Sequence, residues 1–245
     1  MEKKAGIMIS EIAFSNMPIL LNAAKLDFYI LDCEHGGFDY AQISAMISVS
    51  RLTGISLIIR LADNSRKDII KFADMGAEGF LLPMTDSASD IEKVVRFACY
   101  SPVGKRGIST MRAHTFYSPN DIDQYRKNAN EKMKIYAQIE TVAGVKNIAE
   151  ILNVNGVSGC FVGPNDLSDD YGCLTDKSAI EIHRAIEKTG EAAKNAEKIC
   201  GIITANENYL NVAEQSGFTM FCKGSELNAI KEYCLRVSKT VKGCK

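Results

Sequence analysis

The sequence predicts a closed (β/α)8 (TIM) barrel, and three observations carry that prediction. Its 245 residues are about what such a barrel needs as a single domain. Eight short apolar or β-branched runs recur along it, each followed by a longer segment of helical period. The runs are near-continuously apolar, which marks parallel strands buried on both faces beneath a layer of helices. No linker, repeat or shift of composition divides the chain, so residues 1–245 read as one domain. The glycine-rich dinucleotide fingerprint of an open doubly wound sheet is missing, which favours closure.

The first strand is "GIMISEI" (6–12) and the second "DFYILD" (27–32), followed by the helical "YAQISAMISVSR" (40–51), with apolar residues at i, i+3, i+4 and i+7. "SLIIR" (56–60) and "GFLLP" (79–83) are the third and fourth strands, each followed by an amphipathic helix, "RKDIIKFADMG" (66–76) and "ASDIEKVVRFA" (88–98). A long insert follows at 99–133, carrying Arg106, Gly107, Arg112 and His114 before a further helix. Long connections in compact domains tend to be functional. "KIYAQIE" (134–140), "SGCFVG" (158–163), "ICGIIT" (199–204) and "FTMFCKG" (218–224) complete the barrel, with "AIEIHRAIEKTGEAAKNA" (179–196) a helix between the sixth and seventh. A last helix is expected at about 225–240.

Composition narrows the partners. An apolar fraction of 46% and a charged fraction of 24% are those of a globular chain able to bury a sizeable core. The net charge of -1 offers no basic excess for nucleic acid or an anionic membrane, so a small-molecule partner is expected. Eight cysteines stand without a Cys-x-x-Cys, a signal peptide or an N-x-Ser/Thr sequon, and read as reduced thiols of a cytoplasmic protein. No run of about 18 apolar residues suggests a membrane span.

In barrels of this kind the active site is built at the C-terminal ends of the strands. Reading those ends gives Asp32, Glu34 and His35 after the second strand, Arg60 after the third, Pro83 after the fourth and Glu140 after the fifth. Gly163, Pro164, Asn165 and Asp166 follow the sixth, Thr204 and Asn206 the seventh, and Lys223 and Ser225 the eighth. Glu140 and Asp166, on adjacent strand ends and with no histidine or cysteine cluster, suit a hard divalent ion such as Mg2+ or Mn2+. Singly, Glu140 could cap the next helix and Asp166 could make an Asx turn. Arg60 closes an apolar strand and needs an anionic partner, either a developing oxyanion or Asp32, Glu34 or Asp74. His35 is the candidate general base. His183, inside a helical run, reads as structural, and His114 stays open. Lys223 is the competitor, able to form a Schiff base with a keto acid if desolvated, while "KGSEL" around it could hold a phosphate or simply cap a helix.

"DFYILDCEHGGFDYAQ", "IIRLADNSRKDIIKFADMGAEGFLLPM", "YSPVGKRGIS", "AQIETVAGVKNIAEILNVNGVSGCFVGPNDLSDDYG" and "GIITANE" resemble, in order and spacing over most of residues 6–225, the HpcH/HpaI aldolases. These are metal-dependent (class II) pyruvate aldolases of the 2,4-dihydroxyhept-2-ene-1,7-dioate and 2-dehydro-3-deoxyglucarate type. The resemblance implies a barrel of the phosphoenolpyruvate/pyruvate-domain type, assembled as a homo-oligomer (a hexamer or trimer of dimers) with the C-terminal helix exchanged between subunits. It implies an aldehyde-lyase that reversibly cleaves a 4-hydroxy-2-oxo acid to pyruvate and an aldehyde through a metal-stabilised enolate. By the same resemblance Glu140 and Asp166 look like ligands of Mg2+, Mn2+ or Co2+, and His35 like the base on the 4-hydroxyl. Arg60 looks like the group steadying the enolate oxygen, Asp32 like the nearer partner of the histidine and Asp74 like the residue raising its basicity. Gln138, Gly163, Asn165 and Asp166 look like substrate contacts.

Three departures stand out. The chain starts almost at the first strand, without the helix usual ahead of it. The eighth strand ends "CKGSEL" where relatives often carry Gly-Val-Asp-Thr, and "RGISTMRAHTFY" is more polar than the usual Gly-rich insert, so His114 or Arg112 could meet substrate. A biosynthetic carbon–carbon synthase on the same scaffold, Schiff-base chemistry at Lys223, and a barrel that only binds an organic acid are the competing functions.

Overall fold

Alternation of inward and outward side chains along eight short strands organises the molecule, whose structure is a computed structural model describing residues 2–118, 121–176 and 179–243. The order is β1 (Lys4–Ile9), α1 (Met17–Ala23), β2 (Phe28–Asp32), α2 (Tyr40–Thr53), β3 (Ser56–Arg60), α3 (Arg66–Met75), β4 (Gly79–Leu82) and α4 (Ala88–Ala98). Then come α5 (Ile122–Lys132), β5 (Lys134–Ile139), α6 (Val142–Leu152), β6 (Gly159–Val162), α7 (Pro164–Asp170), α8 (Ile180–Asn195), β7 (Ile199–Ile203), α9 (Glu207–Gln215), β8 (Met220–Ser225) and α10 (Glu226–Lys242). All neighbouring strands are parallel, and β8 pairs with β1 to close the barrel.

Met8, Phe28, Ile30, Ile58, Leu81, Tyr136, Phe161 and Met220 fill the interior. Ile9, Tyr29, Leu31, Ile59, Phe80, Ile135 and Ile139 point outward into the layer beneath the helices. Phe161 meets Phe28 at 6.1 Å and Tyr136 at 5.3 Å between ring centroids, so truncating it to alanine is expected to cost about 3–5 kcal/mol in chemical denaturation. Side chains alternate with a period of two. Asp32 therefore shares the inward face of Phe28 and Ile30, Arg60 that of Ile58, and Gln138 that of Tyr136. The last inward layer is polar, and the pairing of Asp32 with Arg60 in the β2–β3 register sets the two side by side.

The first strand differs from its sequence reading. It ends at Ile9, and Ser10–Ile12 form an exit loop, because their N–H groups bond to the Glu226 carboxylate. The chain also forms three helices that the periodicity did not single out, α1, α7 and α9, all of nine residues or fewer. Thr141, not Glu140, caps α6.

α10 buries only Glu226 and leaves Leu227, Ile230, Tyr233, Leu235, Val237 and Val241 at least 40% exposed. Among the described residues seven cysteines are free, and Cys244 lies outside them. Burial pushes the thiols of Cys33 and Cys222 up to about 12 and that of Cys99 to about 11, so they act as small apolar groups. No helix among the described residues is long and apolar enough to cross a membrane.

Candidate active site

Two charged groups meet at the strand exits. On the β2–β3 side the Arg60 fork donates to Asp32 through Nε (2.9 Å to Oδ1) and Nη2 (2.6 Å to Oδ2), and its Nε lies 3.3 Å from Glu34 Oε2. Asp32 also accepts the backbone N–H groups of Glu34 (3.1 Å) and His35 (3.2 Å). Burial works against both charges. The bonds and charge of Arg60 outweigh it and hold Asp32 below the usual carboxylate range, and Asp32 and Glu34 in turn hold Arg60 above its ordinary value. Glu34, left open by the sequence beyond its place at the rim, is thus a partner of Arg60; burial pushes its carboxyl up against the pull of that guanidinium.

The His35 imidazole projects from this cluster, 72% exposed and 3.8 Å from Glu34 Oε2. Its relation to Asp32 differs from the one expected. Asp32 accepts the His35 backbone N–H, while the carboxylate's strong bonds go to Arg60, so Asp32 positions the His35 turn rather than its ring.

On the β5–β6 side Glu140 is 2% exposed. Its Oε1 accepts the Met84 N–H (2.7 Å), and its Oε2 accepts the side-chain amide of Gln138. Met84 supplies that N–H from a left-handed backbone conformation (φ 47°), which a methionine rarely adopts and which only the exit turn of β4 explains. Burial pushes Glu140 up to about 7, the charge of Asp166 adding to it. Gln138 Oε1 is buried without a hydrogen-bond partner. Gly163 completes the cradle: a Cβ there would lie 2.7 Å from Glu140 Oε2 and 3.1 Å from Gln138 Nε2. Asn165 and Asp166 are exposed in the first turn of α7, beside it.

These residues fit a hard divalent ion. The donors are oxygens only, one carboxylate is buried with few donors facing it, and a buried amide oxygen is unpartnered. No group of three His, Cys, Asp or Glu side chains converges among the described residues. An ion held by Glu140 and Asp166 would therefore keep positions for water and substrate.

Asp74 is not part of this arrangement within one chain. It lies in the last turn of α3, five residues before β4 begins at Gly79, and so at the N-terminal end of the barrel. There it accepts from Arg106 Nη2 (2.7 Å) and lies 3.7 Å from His114 Nε2. A helix that leaves the exit of β3 must end at the barrel floor, so Asp74 cannot act on His35 of the same protomer. His114 is settled too. Its Nε2 bonds the Ser109 carbonyl (2.9 Å) and its Nδ1 the Tyr125 hydroxyl (2.5 Å), pinning the insert. A cavity of about 200 Å3 beside it is lined by Arg51, Arg106, His114, Tyr125 and Lys132, at the end opposite the strand exits.

The β7 and β8 exits take the plainer roles. Asn206 caps α9 through the Asn208 N–H, and Ser225 forms a capping box with Asn228. Lys223 is exposed and paired with Glu207 at 2.5 Å, so the desolvation that Schiff-base chemistry needs is missing. Sequence reasoning missed Met84, whose contribution is a backbone N–H, and Glu226, described below.

Fold and site define a TIM-barrel enzyme whose buried carboxylates and guanidinium gather at the strand exits. The chain belongs to the HpcH/HpaI aldolase/citrate lyase family, whose model matches residues 15–232, and is therefore a lyase-class enzyme. It is 34% identical over 188 residues to a hydroxypyruvate/pyruvate aldolase of Roseovarius nubinhibens, covering 77% of this chain and 73% of that one. It is 32% identical to a 4-hydroxy-2-oxo-heptane-1,7-dioate aldolase of Shigella flexneri, covering 77% and 70%. The crystal structure of an HpcH/HpaI aldolase from Desulfitobacterium hafniense superposes with a TM-score of 0.93 at 29% identity, over 100% of this chain and 94% of that one.

Proposed function

We propose that this protein is a divalent-metal-dependent pyruvate aldolase, cleaving a 4-hydroxy-2-oxo acid reversibly into pyruvate and an aldehyde. The observation that carries the reading is the buried Glu140 carboxyl beside the unpartnered Gln138 oxygen and the Gly163 cradle, with the buried cation Arg60 in the same barrel mouth. Names of relatives that act on pyruvate and hydroxy-oxo acids support it.

Glu140 and Asp166 would hold Mg2+ or Mn2+, which supplies the positive charge that polarises the 2-oxo acid when bound. Gln138 and the backbone of Asn165 and Asp166 orient the pyruvyl end. His35, exposed and free to reach through a water, takes the 4-hydroxyl proton as the C3–C4 bond breaks and the aldehyde leaves. Arg60, fixed in direction by Asp32, faces the oxyanion that develops as electrons move onto the pyruvyl fragment. C3 then takes a proton and pyruvate departs.

The protein works as a homo-oligomer of a cytoplasmic kind. The uncovered apolar residues of α10 support its exchange onto a neighbouring subunit, and Asp74 could reach a histidine only from a second copy. The test is a screen of aldehydes with pyruvate, with and without Mn2+. Carbon–carbon bond formation that disappears on exhaustive chelation and returns with Mn2+ is expected; turnover that survives chelation would end the proposal.

A further inference from the structure

A carboxylate that this chemistry does not use is buried at the same end of the barrel. Glu226, the first residue of α10, is 6% exposed. It accepts the backbone N–H of Ser10 on both oxygens (2.9 and 3.0 Å), and those of Glu11 (2.7 Å) and Ile12 (3.0 Å) on Oε1. Successive N–H groups converging on one anion form a nest, and such charge-assisted bonds are about twice as strong as neutral ones. They hold the loop leaving β1.

That loop leans on the turn bearing His35. Gly36 lies so close to it that a Cβ would stand 2.7 Å from the Ser10 carbonyl oxygen and 2.3 Å from that of Asp32. A chain of contacts thus runs from the Glu226 side chain, through the Ser10 backbone, to the closely packed Gly36 and the adjoining His35. Among the described residues no such link joins Glu226 to Glu140, Gln138 or Gly163, whose contacts given above are with one another and with Met84 at the exit of β4.

We propose that Glu226 is a positioning residue: it sets the β1 exit loop against Gly36 and thereby fixes where the His35 imidazole stands. The proposal rests on the reading of His35 as the base. It also ties the helix that leaves the barrel to the catalytic rim, because the clamp is the first residue of that helix.

The test compares the full-length protein with E226A and E226Q, using pyruvate, propionaldehyde and Mn2+, together with backbone hydrogen exchange read by mass spectrometry. In E226A kcat should fall about tenfold to a hundredfold, the scale of a misplaced catalytic group, with E226Q between E226A and wild type. KM for pyruvate should stay within about twofold, since the groups assigned to pyruvate lie on the other side of the mouth. Exchange should quicken at residues 10–14 and 33–38 and not at 134–140. A merely structural role would instead lower protection on both sides together and move kcat with the folded fraction. Folded E226A with wild-type kcat, or unchanged exchange at 33–38, overturns the proposal; if E226A does not fold, E226Q decides by the same two readings. Wild-type protein inactive with every aldehyde would sink the aldolase reading instead, and the exchange pattern would then decide the Glu226 tie alone.

Discussion

The two sides of the barrel mouth carry similar groups and are finished differently. On the β2–β3 side a guanidinium sits between two carboxylates, its Nε and Nη2 groups are matched, and its bonds and charge hold Asp32 below the usual carboxylate range. On the β5–β6 side two carboxylates share one region with only a backbone N–H and a neutral amide for donors, Glu140 is pushed up to about 7, and Gln138 Oε1 has no partner. Buried polar groups in native proteins are nearly always satisfied. On the proposed reading the unpartnered second side is where a cation and a substrate would supply the missing partners. The proposed function divides the labour along this contrast: a preorganised positive group with an exposed base on one side, a site for the ligand on the other.

The sharpest way to break this contrast is to remove one carboxylate from each side. E140Q should lower metal-dependent turnover by about a hundredfold to a thousandfold, as for loss of a principal electrostatic contact, yet leave the metal-free melting temperature no lower, because it replaces a poorly paired buried carboxyl by a neutral isostere. D32N should do the reverse to stability. It strands Arg60, 8% exposed, with Glu34 alone, and breaking a buried pair costs about 3–5 kcal/mol. The sign with pH follows from Asp32's lowered pKa. Its contribution is fully present above the unfolded value near 3.8 and is lost as pH falls through the lower folded one. Urea denaturation of wild type and D32N should therefore differ most at neutral pH and converge only well below pH 3.8. Equal destabilisation by E140Q and D32N would show that the two sides are alike.

His35 separates function from stability within the complete side. Its ring is 72% exposed and carries no core packing. H35A should lower kcat by about a hundredfold to ten-thousandfold, the range for a general base, with a melting curve superimposable on wild type. A drop in melting temperature as large as that of D32N would place His35 in the structural network instead.

Much of this was legible in the chain because strand character and site character meet at one residue. "FYILD" and "SLIIR" are apolar until their last inward position, and the period of two then aims Asp32 and Arg60 into the mouth. Glu140 was readable in the same way, whereas Gln138 came only through the family resemblance. Met84 was not, since it acts through a backbone N–H set by a left-handed φ that no methionine advertises. Glu226 was hidden because its partners are backbone groups 214 to 216 residues away in sequence, and a glutamate opening a helix reads as an ordinary first-turn acid. Asp74 was legible in another way: motif similarity tied it to the histidine, and its place at the end of α3 puts it on the barrel floor, out of reach of the histidine of its own chain.

The smallest effect is expected at Lys223, and it guards the contrast from a third claimant. A Schiff-base lysine must be available as the neutral amine, which in proteins follows from burial or a neighbouring cation. Lys223 has neither: it lies exposed at the end of β8 with the Glu207 carboxylate 2.5 Å away. An exposed ion pair contributes about 0–1 kcal/mol, so K223A should leave the melting temperature nearly unchanged and shift kcat by less than about twofold. Borohydride treatment in the presence of pyruvate should yield no mass adduct on Lys223. A covalent adduct there, together with turnover lost in K223A, would move the chemistry from the carboxylate side of the mouth to the β8 exit and make the incomplete pairing around Glu140 a structural matter only.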